Sequence, residues 1–432
     1  MKRYISAQEA ATELGVSLAT LYSYVSRGLV RSEHIEGTEG GKKRQRRYRR
    51  DDVQRLLQRK NLHKNPESAM ERALSLGSPI MESAITLITE NHCYYRGYDV
   101  AHLAVNSSFE QVATLIWTGT LPEETPLFFA EARPDLSSHA QNIHQLVMKG
   151  EYLEAFQVFL SLAATKDVAA YDMRPSSLAR IGASLLYHLV GIATECDLGF
   201  LPIAHVLQQG WASQDSQAAL LLNTALVLVA DHELNAATLA TRCVASSGGT
   251  LYAAVGAGLL AFQGTKYAGS YRRVEGFLRE AATKSGVSSA LIDRLRRGDV
   301  PEGFGRVWPS AGERMMGEVF PGFGTVFYPN GDPRARALLE RIGTAYPHSP
   351  VIALAKAVEE EVYAMVHERP TLDFAFVVLS HVLHLPPGAA IALFALSRTA
   401  GWIGHAIEQY QTQQLIRPRA RYIGEQPFEE NS

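Results

Sequence analysis

Residues 228–270 read LVADHELNAATLATRCVASSGGTLYAAVGAGLLAFQGTKYAGS, and the fold turns on this stretch. An apolar run ends at Ala230 and is followed at once by Asp231, His232, Glu233 and Asn235. Polar and ionisable groups directly behind a buried run point into a site. The small residues that come next suit closely packed helices or backbone approached by a ligand. A Gly/Lys/Tyr/Gly turn, Gly264 to Gly269, closes the stretch.

Outward from it, the chain after Ser68 is dominated by helical periodicity, as in FEQVATLIWTG, SPVIALAKAVEEEVYAMVHE and AAIALFALSRTAGWIGHAIEQY. The segment ALLLNTALVLVADHELNAATLATRCVAS reads as one such block. Pro and Gly separate the blocks, and alternating strands are nearly absent apart from a strand pair expected near 85–96. The body is therefore expected to be mainly α.

The 432 residues leave room for two or three domains, and 46% apolar with 20% charged residues suits a globular chain. A net charge of −2 gives no global attraction to nucleic acid. That balance conceals an asymmetry, since residues 1–65 hold 15 basic and 7 acidic side chains. Cys93, Cys196 and Cys243 have no metal-ligand spacing, which argues against a zinc site or a disulfide framework. The N-terminus lacks a signal-peptide apolar core, and the run around Ala218–Ala230 is too short to span a bilayer. A cytoplasmic protein without a membrane partner is expected.

The basic segment is organised as a module. Ser6 to Glu9 fits a capping box opening a short helix; Leu14-Gly15-Val16-Ser17 turns the chain, and LATLYSYVSRG forms a second helix. KKRQRRYRRDDV then reads as the basic strand of a wing leading into a third helix. The pattern resembles the winged helix-turn-helix domains of MerR and excisionase type, over residues 1–62, with a linker around His63–Pro66. DNA binding would use Ser17, Thr20 and Tyr22 toward the groove, with Arg44, Arg46, Arg47 and Arg49 on phosphates. A solvated basic module that contacts a protein partner is the blander alternative.

The body resembles the citrate synthase family, including its 2-methylcitrate branch. The resemblance rests on six fragments in the family's order: ITLITENHCYYRGYDVAHLAVNSSFEQVATLIWTGTLP, VADHELNAATLATRCVASSGGTLYAAVGAGLLAFQG, PGFGTVFYPNGDPRARAL, PTLDFAFVVLS, FALSRTAGWIGHAIEQ and LIRPRARYIG. It implies a helical homodimer with a large domain over 66–266 and 374–432 and a small domain over 267–373. It further implies condensation of acetyl-CoA or propionyl-CoA with oxaloacetate, acyl-CoA being a co-substrate and no cofactor being needed.

By the same resemblance Asp373 would be the base that removes the thioester α-proton, and His232 would contact a substrate carboxylate. Arg334, Arg398 and Arg417 would grip carboxylates, with Arg417 reaching the neighbouring subunit's site. Guanidinium forks suit that task. Read alone, Asp373 is an N-cap and His232 a satisfied core histidine. Two positions depart from the family. Tyr267 stands where a catalytic histidine would hold the enol oxygen, and Thr325 where a second would donate to the oxaloacetate carbonyl. A phenol can donate a hydrogen bond there, whereas a Thr hydroxyl is too weak an acid to give up its proton near neutral pH. Slow or altered turnover is expected. A di- or tricarboxylate-sensing DNA-binding regulator and a non-catalytic partner of an active paralogue are the competing expectations.

Overall fold

In a computed structural model of the chain, the residues described are 4–26, 30–34, 46–49, 52–53, 81–126, 128–129, 140–196, 201–283, 286–297, 320–325, 327–420 and 423–424. The chain divides into two compact units, Met1–Glu82 and Ser83–Ser432. The linker expected around 63–66 lies outside the described residues.

The first unit contains β1 (Tyr4–Ser6), α1 (Ala7–Leu14), α2 (Leu18–Ser26), β2 (Ser32–His34) and β3 (Arg46–Arg49). The expected capping box is present: Ser6 Oγ accepts from the Glu9 N–H at 3.2 Å, and Glu9 accepts from the Ser6 N–H at 2.7 Å. Gly15, at φ 58°, ends α1 in the left-handed conformation that a Cβ disfavours. Ser17 then opens α2 by accepting from the Thr20 N–H at 3.2 Å. The basic strand is β3, but it lies in the middle of an antiparallel sheet ordered β1-β3-β2. Strand β1 is three residues long, too short for alternation to reveal it. Tyr48 of β3 turns inward onto Ile5, Leu14, Leu21 and Val53.

The second unit starts with a small antiparallel sheet of β4 (Thr86–Ile88), β5 (Cys93–Tyr95) and β6 (Tyr98–Asp99), one strand more than expected. The remaining elements described are helical. They run α3 (Val100–Asn106), α4 (Phe109–Thr118), α5 (Ala140–Met148), α6 (Tyr152–Lys166), α7 (Pro175–Thr194), α8 (Ile203–Trp211), α9 (Ala218–Val229), α10 (Ala236–Ser246) and α11 (Leu251–Phe262). After these come α12 (Ala268–Thr283), α13 (Val287–Arg297), α14 (Pro333–Ala345), α15 (Pro350–Val366), α16 (Leu372–Val382) and α17 (Ala389–Thr412).

Helix α17 is the axis of the core and packs on α4, α7, α9, α10 and α11. Helices α7 and α17 are long and apolar enough to cross a membrane, yet most of each is buried among its neighbours. The small residues of the central stretch have the packing role expected of them. A Cβ on Gly258 of α11 would lie 2.6 Å from Thr241 Oγ1 and 2.8 Å from the Trp402 ring.

One expectation needs correction. The block from Ala218 to Ser246 is two helices, interrupted at Asp231–Asn235. The Asp231 carboxylate accepts from the Glu233 N–H at 3.1 Å, Glu233 takes φ 59°, and Asn235 caps α10 through the Thr238 N–H. Asp and Asn side chains that bind nearby backbone compete with helix continuation in this way.

Candidate active site

The interruption between α9 and α10 is held from beneath. Asp231 is fully buried, and its carboxylate accepts from the Thr86 hydroxyl at 2.5 Å. His405 of α17 approaches the same carboxylate at 3.3 Å and Arg398 at 3.7 Å. Burial pushes the Asp231 carboxyl up, but His405, Arg398 and Thr86 outweigh it and hold the group down at about 2. The Tyr95 hydroxyl ties the backbone, donating to Asp231 O at 2.9 Å and accepting from Asp231 N–H at 3.1 Å. Tyr95 therefore fixes the turn through its hydroxyl while its ring is buried in the core. Gly401 lets α17 approach this closely, since a Cβ there would lie 2.4 Å from Ala230 O and 2.5 Å from Asp231 Oδ1.

Fixed by that turn, His232 hydrogen-bonds through Nε2 with the Tyr328 hydroxyl at 2.9 Å and stands edge-on to Phe327. Burial, together with the positive fields of Arg334 and Arg398, keeps His232 well below the usual histidine range. At neutral pH it is an uncharged imidazole.

Arg334 lies at the start of α14, whose N-cap is Asp332. Asp332 takes two guanidinium hydrogen bonds, from Nε at 3.0 Å and Nη2 at 2.8 Å, while Nη1 makes no hydrogen bond within the protein. Arg398 is 4% exposed, sits above the Phe394 ring, and leaves both Nε and Nη1 without a hydrogen bond. Buried guanidinium N–H groups normally find acceptors. Two buried arginines thus carry guanidinium N–H groups without hydrogen bonds, and the fields of both reach the neutral His232.

Asp373 is in the first turn of α16, but Thr371 holds the N-cap position, so the carboxylate is not spent on capping. Burial raises its pKa, while Ser270, Tyr271 and Arg273 nearby partly oppose that. The segment before α16 is zipped to the loop that carries Thr325. Thr371 N–H donates to Gly322 O at 2.8 Å, and Gly324 N–H donates to Arg369 O at 3.0 Å. Gly322, at φ 82°, fits because its missing Cβ would lie 2.9 Å from both Phe374 Cβ and Val274 Cγ2.

The two replaced positions are both engaged locally. Thr325 Oγ1 accepts from the Phe327 N–H at 3.3 Å, and the Tyr267 hydroxyl accepts from the Ala236 N–H at 3.3 Å. Lys266 beside Tyr267 is exposed. Among the described residues, His405 is fully buried on Asp231, His381 lies in the last turn of α16 and His384 just past it, at the opposite end of that helix from Asp373.

Arg417 is exposed on the extended segment after α17, which is tied to α10 by the Ile416 N–H on Ser246 Oγ at 3.1 Å. It is not brought to the other site residues within the chain. In the first unit, Tyr22 and Arg46 are exposed and Arg49 is half-buried. Ser17 Oγ and Thr20 Oγ1 bond each other at 2.9 Å. Arg47 donates to Glu33 at 2.9 Å and lies over the Tyr4 ring. Arg44 lies outside the described residues. Sequence reasoning passed over Tyr328, Asp332, Thr86 and Tyr271. Only Asp332, two residues before Arg334, carried a local signal.

Residues 75–419 match a family described as the citrate synthase C-terminal domain, and residues 4–61 match a helix-turn-helix domain. Citrate synthase 2 of Bacillus subtilis is 27% identical over 366 residues, covering 79% of this chain and 93% of its own length. A 2-methylcitrate synthase 2 of Corynebacterium glutamicum is 26% identical over 363 residues, with coverages of 78% and 90%. Among solved structures, citrate synthase from Thermotoga maritima aligns with a TM-score of 0.64 at 24% identity, over 82% of this chain and 96% of that one. The citrate synthase of Thermoplasma acidophilum, in a ternary complex with carboxymethyl coenzyme A and oxaloacetate, aligns with a TM-score of 0.65 at 21% identity, over 83% and 97%.

Proposed function

The chain belongs to the citrate synthase family, and from that premise we propose that it is an acyltransferase that condenses an acyl-CoA with oxaloacetate slowly. The observation that carries this is the contrast within the site. Arg334 and Arg398 keep guanidinium N–H groups without hydrogen bonds near a neutral His232. Thr325 and Tyr267, by contrast, supply only neutral hydroxyls where the family resemblance expects histidines, and neither is an acid strong enough to give up its proton near neutral pH.

In this reading the oxaloacetate carboxylates lie against Arg334, Arg398 and His232. Asp373, made more basic by burial, takes the α-proton of the thioester. Acyl-CoA is a co-substrate and no bound cofactor takes part. Closure of a small domain, 267–373, on the rest of the body would exclude water. Arg417, exposed on its C-terminal segment, suits a role in the site of a second copy, which makes a homodimer the working assembly. The cytoplasm is its proposed location. Removing an oxyanion donor lowers rates by about 10²–10³ and removing a general acid by about 10²–10⁴.

Two measurements test this. Calorimetry should detect oxaloacetate binding, and steady-state release of CoA from acetyl-CoA should fall far below the enzyme median of about 10 s⁻¹. Failure to bind oxaloacetate sinks the proposed carboxylate cradle, while turnover at the median sinks the slow rate. The helix-turn-helix match and the basic strand β3 favour a second reading, a carboxylate sensor that controls DNA binding. It predicts that citrate changes DNA affinity.

A further inference from the structure

Tyr271, one turn into α12, is 3% exposed, yet its hydroxyl makes no hydrogen bond of normal geometry. Its ring is wedged edge-on against Phe376 of α16 and Phe394 of α17, at centroid distances of 6.4 and 5.7 Å. Phe376 lies three residues beyond Asp373, and Phe394 lies one turn before Arg398. The hydroxyl faces the Asp373 carboxyl and is within the fields of Arg398 and Arg334.

A ring held only for packing needs no hydroxyl. Phenylalanine would fill the same space without burying an O–H whose protein partner is the Asp373 carboxyl. The hydroxyls at positions 267 and 325 accept backbone N–H bonds, whereas the Tyr271 hydroxyl is buried beside the Asp373 carboxyl.

Resting on the condensation reading above, we infer that Tyr271 is a catalytic residue that donates a hydrogen bond to the thioester oxygen while Asp373 removes the α-proton. In that step the α-carbon C–H bond breaks and its proton moves to the Asp373 carboxylate. The electron pair left behind forms the C=C bond, and the thioester carbonyl π pair moves to oxygen. That oxygen is stabilised by the Tyr271 O–H, which keeps its proton throughout. Burial and the neighbouring carboxylate raise the phenol well above its ordinary range, so it stays a donor across the working pH range.

The test uses full-length wild-type protein and Tyr271→Phe. Exchange of acetyl-CoA methyl protons in D2O is followed with L-malate present, because malate offers two carboxylates but no carbonyl to attack. Tyr271→Phe should slow exchange by about 10²–10³ while oxaloacetate affinity stays within about twofold. With oxaloacetate present, carboxymethyl-CoA, whose carboxylate mimics the enolate oxygen, should bind Tyr271→Phe about tenfold more weakly. Equal exchange and equal carboxymethyl-CoA binding in the two proteins would overturn the assignment. So would a wild type that binds oxaloacetate but neither exchanges protons nor binds carboxymethyl-CoA, an outcome that leaves the carboxylate cradle standing. A wild type that does not bind oxaloacetate removes the condensation reading and this role together.

Discussion

Asp332 holds Arg334 in a two-pronged grip, accepting from Nε and Nη2 at 3.0 and 2.8 Å, and so aims the third guanidinium nitrogen away from itself. Both side chains are about 5% exposed. Removing one partner of a buried pair strands the other charge, at a cost of about 3–5 kcal/mol. Asp332→Ala should therefore lower the unfolding midpoint and weaken oxaloacetate binding in the same protein. A variant with wild-type melting and wild-type affinity would show that the grip does not orient Arg334.

Asp373→Asn separates chemistry from stability. Burial holds the Asp373 carboxyl above its usual range, so the folded chain retains that proton more tightly than the unfolded chain. The associated stability is present below the unfolded pKa and is lost as pH rises through the folded one. Near neutral pH the folded protein carries a desolvated carboxylate that Asn does not have. The expected result is a higher melting temperature at pH 7, an advantage that shrinks toward pH 4, and loss of proton abstraction. Equal melting curves at both pH values would contradict the assignment.

Gly322→Ala probes the junction between the Thr325 loop and α16. Its φ of 82° and two contacts at 2.9 Å leave a Cβ no room. Left-handed backbone alone costs a non-glycine residue about 1–2 kcal/mol, and the contact with Phe374 adds to that. Lower thermal stability with a further fall in CoA release is expected, because the substituted loop would push on the helix that carries Asp373.

For the N-terminal unit, the prediction concerns salt. Each phosphate contact contributes a slope of roughly −0.9 in log affinity against log salt. Arg46→Ala should reduce that slope by about one, measured by fluorescence anisotropy on duplex DNA. Arg47→Ala should change it less, since Glu33 and the Tyr4 ring already engage that guanidinium. DNA affinity independent of salt in the wild type would remove the nucleic-acid reading.

Much of this was legible in advance where the cause is local. The Ser6–Glu9 box, the helical body and the sheet near 85–96 all follow from neighbours in sequence. The family motifs also brought His232, Arg334 and Arg398 into one constellation, joined electrostatically through His232. What escaped is what depends on distant pairing. Thr86 meets Asp231 across 145 residues and Tyr328 meets His232 across 96, and no periodicity announces either. Tyr271 escaped for another reason: a tyrosine on an amphipathic helix looks like core until its hydroxyl is found buried beside the Asp373 carboxyl.

On the proposed function, a carboxylate ligand that meets the unbonded guanidinium nitrogens of Arg334 and Arg398 would become part of the fold. A dicarboxylate that satisfies them repairs a polar defect in the protein's interior, so occupancy should govern how long the folded chain survives. At a concentration one hundred times its Kd, such a ligand adds about 2.7 kcal/mol of stability. Citrate or oxaloacetate should accordingly raise the melting temperature and slow proteolysis, even in an Asp373→Asn protein that turns nothing over. Persistence of the protein would then report carboxylate supply without any reaction taking place.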